Sequence, residues 1–174
     1  MPINDLIIEP LSAHHPRKSF TCGTDPLDNF IRDYALQNQK RHISRTFVAV
    51  PNAKLIGPNK TIAGYYTLVS GHVSCKDLPN DYKHPSYPVS IARVARLAVA
   101  IERQGQGIGS YLLYDAFQKI LRAAETIGIY AVVVDAKNEQ AKKFYQQYGF
   151  DCLQQSGLTL ILSLQTIQKA IAKS

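Results

Sequence analysis

Residues 96–127, RLAVAIERQGQGIGSYLLYDAFQKILRAAETI, decide the fold. Arg96-Leu97-Ala98-Val99 ends a run over 89–99 that reads as a central strand. Gln104-Gly105-Gln106-Gly107-Ile108-Gly109 follows, and a helix is predicted from there to Ile127, stopped by Gly128. Leu112, Leu113, Ala116, Ile120, Ala123, Ala124 and Ile127 recur on one side of it, the spacing of an amphipathic helix. A strand thus feeds a glycine-rich turn, and the turn opens a helix. N–H groups at a helix start have no intrahelical acceptor, and the helix dipole adds positive charge there. Such a turn attracts anions. Glycines let it adopt positive φ and approach a pyrophosphate closely.

The flanking stretches extend this pattern. Residues 129–135, IYAVVVD, are nearly all apolar, as a strand buried on both faces should be. Residues 138–148 read as a helix ended by Gly149, with short strands expected near 150–153 and 158–163. The tail, 164–174, is expected to form a final helix with Leu164, Ile167, Ala170 and Ile171 aligned. Upstream, 6–9 read as a first strand closed by Pro10. Residues 24–38 read as a helix capped by Asp25, with Pro26 in its first turn. Leu27, Phe30, Ile31, Tyr34 and Ala35 form its apolar stripe. Residues 45–50 and 61–71 read as strands on either side of a turn around Gly57-Pro58-Asn59. Residues 73–88, with Pro79, Pro85 and Pro88, read as a long irregular excursion. The order implies a mixed central β-sheet flanked by helices, an α/β (α+β) arrangement in a single domain over 1–174.

Composition narrows the class. The 174 residues are 45% hydrophobic and 19% charged, values of a globular chain with a substantial core. Apolar runs are too short to span a bilayer, and no secretory leader is apparent, so a cytoplasmic location without membrane contact is expected. Cys22, Cys75 and Cys152 are scattered and form no CxxC, and the five histidines show no HExxH spacing. Neither a disulfide framework nor a metal site is expected. The net charge of +7 points to an anionic partner: nucleic acid, a phosphate-rich cofactor or an acidic protein.

The glycine cluster does not fit the commoner nucleotide loops. A Walker A loop needs Lys-Ser or Lys-Thr after its last glycine, and none follows here. In the dinucleotide pattern Gly105 and Gly107 fit, but Ser110 stands at the third glycine's place. The pattern is Q-x-x-G-x-G, which resembles the acyl-CoA pyrophosphate loop of the GNAT acetyltransferases. Asn138, Ala141, Phe144-Tyr145 and Gly149-Phe150 are similar to that family's N-x-x-A-x-x-F-Y-x-x-x-G-F segment, in the same strand–helix setting. Glu9-Pro10-Leu11-Ser12, Phe20-Thr21-Cys22-Gly23, Leu27-Asp28-Asn29-Phe30 and Ala63-Gly64-Tyr65-Tyr66 extend the resemblance over most of the chain. They resemble the GNAT toxins of bacterial toxin–antitoxin pairs. Ala100 departs from the pattern, where the family often has Asp, and the tail after Leu164 is longer than the pattern requires.

The resemblance implies a GNAT fold and an acetyl-CoA-dependent N-acetyltransferase. It implies transfer to the α-amino group of aminoacyl-tRNA, a block of translation, neutralisation by a ribbon-helix-helix antitoxin, and a homodimer. It implies that Leu97, Ala98 and Val99 pair with the pantetheine arm, and that Gln104, Gly105, Gln106, Gly107, Ile108, Gly109 and Ser110 hold the pyrophosphate. Asn138, Ala141 and Phe144 complete the cofactor set, and Tyr145 is the general acid. A phenol with a pKa of about 10 suits protonation of a departing thiolate. No carboxylate stands out as a general base. An α-amine, with a pKa of about 7.7–8.0, is partly neutral already and needs little such help. Arg93, Arg96, Lys142 and Lys143 are candidate contacts to tRNA phosphates, with Arg103 and a second group at Lys40, Arg41 and Arg45. Cys22 reads as a small buried residue rather than a nucleophile. Two other readings stay open here: a GNAT enzyme acetylating a protein N-terminus or small amine, and a non-catalytic basic module that binds nucleic acid.

Overall fold

The computed structural model describes residues 3–56 and 61–173, so the turn expected at Gly57-Pro58-Asn59 lies outside the described residues. Seven strands form a mixed sheet in the order β1-β2-β3-β4-β5-β7-β6. The chain divides into two compact units, Met1–Leu68 with Arg96–Ala116, and Val69–Ala95 with Phe117–Ser174.

In the first unit β1 (Leu6–Pro10) runs antiparallel to β2 (Arg45–Pro51), which runs antiparallel to β3 (Gly64–Val73). Thr46 and Thr67 face each other across β2 and β3, both fully buried, and their hydroxyls bond at 2.9 Å. Each thereby satisfies the other's polar group inside an apolar sheet. The core gathers Leu11, Phe20, Phe30, Ile31, Val48 and Tyr65. Tyr65 is fully buried, and its hydroxyl donates to the Leu27 carbonyl at 2.7 Å.

The predicted 24–38 helix is segmented: α1 (Asp25–Asn29), a π-helical turn at Phe30–Tyr34, then α2 (Ala35–Lys40). Its cap is Thr24, not Asp25; the Thr24 carbonyl accepts from Leu27 and Asp28, and Asp25 and Pro26 form the first turn. In the widened turn the Ala35 N–H reaches the Phe30 carbonyl. An extra residue per turn breaks the 3.6-residue stripe. Phe30, Ile31 and Ala35 are buried, whereas Tyr34, expected among them, is 56% exposed.

Strand β3 starts at Gly64 rather than at residue 61, and the glycine is required there. A Cβ at Gly64 would lie 2.8 Å from the Ala98 carbonyl oxygen and 2.9 Å from Leu112 Cδ1. We expect Gly64→Ala to destabilise the protein by about 1–3 kcal/mol, the usual cost of overpacking. Urea unfolding at unchanged m value measures it. β4 (Val89–Val99) has its predicted bounds.

The second unit holds the parallel pair. β5 (Ala131–Asp135) lies parallel to β4 in register Ile91↔Ala131 and antiparallel to β7 (Ser156–Ser163), which also pairs with β6 (Asp151–Leu153). Ala131, Val132, Val133 and Val134 are all fully buried, as their unbroken apolar run demands. The 73–88 excursion is irregular apart from a 3-10 turn at Cys75–Asp77, yet it is tied down. Leu78 is buried, and Gln154 Nε2 donates to the Leu78 carbonyl at 2.9 Å.

Between β2 and β3 lies α3 (Ala53–Ile56). The long helix α4 (Ile108–Ala124) stops three residues before the predicted Ile127. Thr126 and Ile127 both donate back to the Ala123 carbonyl, and Ile127 is 58% exposed, so it belongs to the closing turn rather than the apolar stripe. After α5 (Glu139–Gln146), α6 (Leu164–Ile171) completes the chain. It is capped by the Ser163 hydroxyl and buries Leu164 and Ile167, while Ala170 stays exposed.

Candidate active site

The glycine turn of the first unit takes the predicted form. After β4 the chain makes a 3-10 turn at Ile101–Arg103, and Gly105 and Gly107 then adopt φ of 74° and 80°. Such backbone favours glycine because a Cβ crowds it. The first rung of α4 runs from the Tyr111 N–H to the Gly107 carbonyl at 3.1 Å. The N–H groups of Ile108 and Gly109 precede that rung, at the positive end of the helix dipole. Gly109 itself has no positive φ.

The glutamines brace this turn. Gln104 was expected to reach phosphate with its side chain; instead its Nε2 donates to the carbonyls of Cys22 at 2.9 Å and Val99 at 3.1 Å. The side-chain amide thus supplies a donor to two backbone carbonyls, one of them the part-buried carbonyl of Cys22. The Gln106 oxygen accepts from Arg103 Nε at 3.0 Å, and its Nε2 donates to the Glu102 carbonyl. Ala98 is buried, and Leu97 and Val99 are half-buried.

The second unit carries Tyr145 on α5. Asn138, grouped with the cofactor residues by the motif, is the N-cap of this helix: its Oδ1 accepts the Ala141 N–H at 2.9 Å. Gly149, at φ 89°, turns the chain after the helix. Phe144 meets the Tyr145 and Tyr148 rings edge-on at 5.2 and 5.3 Å, and Phe150 meets Tyr145 at 5.7 Å. Tyr145 is 5% exposed, and burial, with the Asp135 charge second, pushes its phenol well above the usual tyrosine range. The phenol is therefore protonated at any physiological pH. Among the described residues its hydroxyl has no hydrogen-bond partner, so the proton is available to a ligand.

Sequence reasoning assigned no role to two carboxylates. Asp135 ends β5, where it accepts from Arg93 at 2.5 Å and from the Thr159 hydroxyl at 3.0 Å. Arg93 and Thr159 also line a pocket of about 400 Å³ with His72, Asp77 and Ser156. The place of Asp135 at the carboxyl end of a parallel strand was the available signal. Asp28, on α1, is 3% exposed and bonded to Thr21 and Cys22.

The basic candidates divide. Arg93 is paired with Asp135, and the Arg96 guanidinium carbon sits 3.7 Å from the centre of the Phe30 ring, a cation–π contact. Lys142 lies 3.9 Å from Glu139, and Lys143 is exposed. Cys22 is buried in the core, as expected.

The profile of the acetyltransferase (GNAT) domain matches residues 43–152, spanning both β4 with its glycine turn and α5 with Tyr145. The chain belongs to the GNAT acetyltransferase family. As a whole this GNAT acetyltransferase is 33% identical to a tRNA-acetylating toxin of Mycobacterium tuberculosis over 154 residues, 88% of this chain and 89% of the relative. Solved structures of the toxin AtaT share its fold. One, complexed with acetyl-methionyl-tRNAfMet, is 27% identical with a TM-score of 0.87, covering 96% of this chain and 99% of that one. Another is a tyrosine-to-phenylalanine mutant bound to acetyl-CoA and the C-terminus of the antitoxin AtaR. It is 25% identical with a TM-score of 0.81, covering 96% and 98%. The GNAT acetyltransferase thus uses acetyl-CoA as its co-substrate.

Proposed function

We propose that this enzyme moves an acetyl group from acetyl-CoA to the α-amino group of the amino acid on charged tRNA, and so acts as a translation-blocking toxin. The observation that carries the reading is a buried tyrosine whose protonated hydroxyl has no protein partner among the described residues, in the chain of an acetyltransferase similar to tRNA-acetylating toxins. AtaT complexed with acetyl-methionyl-tRNAfMet supports the acceptor class.

The amine nitrogen attacks the thioester carbonyl carbon, and the C–S bond breaks as the amide forms. Tyr145 gives its proton to the departing thiolate and regains one from solvent, to which the amine's surplus proton is released. The amides of the turn Gly105–Ser110 hold the pyrophosphate, and β4 residues Leu97, Ala98 and Val99 pair with the pantetheine arm. Gln104, Gln106 and Asn138 serve by shaping: the glutamines fix the turn and Asn138 caps the helix bearing Ala141, Phe144 and Tyr145. Lys143, exposed on α5, meets tRNA phosphate, with Lys142 beside it. Arg93 and Arg96 first serve Asp135 and Phe30, and the polar pocket beside Asp135 supports a seat for the acceptor.

A ribbon-helix-helix antitoxin neutralises the enzyme, which works as a homodimer in the cytoplasm. AtaT bound to the antitoxin AtaR supports a protein partner of this kind. Among the described residues no helix is long and apolar enough to cross a membrane. The test supplies labelled acetyl-CoA with a total charged tRNA pool and a deacylated control. Label on charged RNA alone supports the reading. Label on neither RNA, with acetyl-CoA still bound, redirects it to protein N-termini and small amines.

A further inference from the structure

Asp28 is a charged group buried at 3% exposure, on a helix that the transfer chemistry does not use. Burying an ionised carboxylate is expensive unless donors surround it, and an apolar side chain would fill a core better. Its donors come from one short segment. Thr21 Oγ1 donates to Oδ2 at 2.9 Å, and the Cys22 N–H donates to Oδ1 at 2.8 Å. Burial pushes this carboxyl up, but the bonds from Cys22 and Thr21 and the charge of Arg32 outweigh it, and the net shift is downward. Arg32 also donates through Nε and Nη2 to the Phe20 carbonyl, fixing the start of the same segment.

The other side of that segment faces the cofactor turn. The Thr21 carbonyl accepts the Ile101 N–H at 2.9 Å, and the Cys22 carbonyl accepts Gln104 Nε2 at 2.9 Å. Ile101 opens the 3-10 turn after β4, and Gln104 directly precedes Gly105. Gly23, at φ 82°, continues the close approach: a Cβ there would lie 3.5 Å from Ile101 Cδ1. The carboxylate therefore grips the Thr21 and Cys22 residues whose carbonyls hold both ends of the Ile101–Gln104 stretch.

We propose that Asp28 is a positioning residue for acetyl-CoA, acting through Thr21-Cys22 and Gln104 to hold the glycine turn in its phosphate-binding shape. This rests on the reading of Gly105–Ser110 as the pyrophosphate site. A preformed turn spares the cofactor the cost of ordering it. Asp28→Asn keeps the shape and removes the charge that makes these bonds strong.

The test is a double-mutant cycle on acetyl-CoA affinity, by calorimetry, with Gly107→Asp run in parallel. Asp28→Asn and Gln104→Ala should each weaken binding about tenfold, the size of one bond to a charged or buried partner. The double variant should bind only about as weakly as the weaker single, because both changes cut one chain of contacts. KM for acetyl-CoA should rise with Kd, with a smaller fall in kcat at saturation. If Asp28→Asn does not fold, Thr21→Val, which removes a single donor, takes its place in the cycle. Additive effects, or unchanged affinity in the Asp28 and Thr21 variants while Gly107→Asp abolishes binding, overturn the inference and leave the turn's role standing. Normal binding by Gly107→Asp removes the turn's role, and the inference with it.

Discussion

Tyr145→Phe is expected to lower kcat by about 10²–10⁴-fold, the contribution of a positioned general acid. The substitution keeps the ring, and with it the edge contacts to Phe144 and Phe150 at 5.2 and 5.7 Å. The lost hydroxyl has no protein partner among the described residues, so no buried group is orphaned. Thermal stability and acetyl-CoA affinity should therefore stay close to wild type while turnover falls. Acid strength adds a pH signature. Burial and the Asp135 charge raise the phenol pKa, so the protonated, competent form persists to higher pH than an ordinary tyrosine allows. The wild-type rate should show no alkaline decline from this group below pH of about 10. Steady-state kinetics across pH, with melting curves of both proteins, measure the two effects. A variant with normal turnover would show that Tyr145 only packs.

Gly107→Asp should abolish acetyl-CoA binding, raising Kd by at least about a hundredfold. Like unit charges near 4 Å repel by about 4 kcal/mol at an effective dielectric near 20. Strain adds to repulsion, since Gly107 sits at φ 80° and a Cβ there would lie 3.0 Å from Ile3 Cδ1. Gly105→Ala separates the two causes. Gly105 also has positive φ, but a Cβ there would meet nothing within 4 Å and adds no charge. That variant should pay only the backbone cost of about 1 kcal/mol, a loss of affinity within tenfold. Calorimetric titration with acetyl-CoA reads both. Equal losses in the two variants would mean that the turn's shape, not its meeting with phosphate, sets the affinity.

The sequence made the second half of the fold readable because its signals are local. An apolar run of the 129–135 kind has few other places to go than a buried strand, and β5 is buried along its valines. The glycines at 105 and 107 take the positive φ that their clustering implied. The first helix was harder. Its π-helical turn at Phe30–Tyr34 serves tertiary packing, and no residue type announces an added residue in a turn. Tyr34 was misplaced for that reason.

Within the site, residue identity was more legible than residue role. Gln104 and Asn138 lie in the motifs, but their side chains are occupied by the protein: Gln104 by two carbonyls and Asn138 by a helix N–H. Spacing marks a position as important without saying whether its side chain faces ligand or backbone. Asp135 was missed because its partner is distant in sequence, and Asp28 because no spacing rule marks partners six and seven residues away that meet it across a turn. Arg93 is 42 residues from Asp135, and the Thr21-Cys22 pair matters to Asp28 only once the chain has folded. Composition offers no trace of such pairs.

The central claim is that the acetyl group ends on the α-nitrogen of the amino acid carried by tRNA. The most direct measurement incubates the enzyme with acetyl-CoA and charged tRNA, releases the terminal aminoacyl-adenosine with nuclease, and identifies it by fragmentation mass spectrometry. The account predicts one added acetyl on the α-nitrogen with wild type, and only trace product with Tyr145→Phe over the same time. Acetyl on the base or ribose, or an unmodified aminoacyl-adenosine from an enzyme that still binds acetyl-CoA, would contradict it.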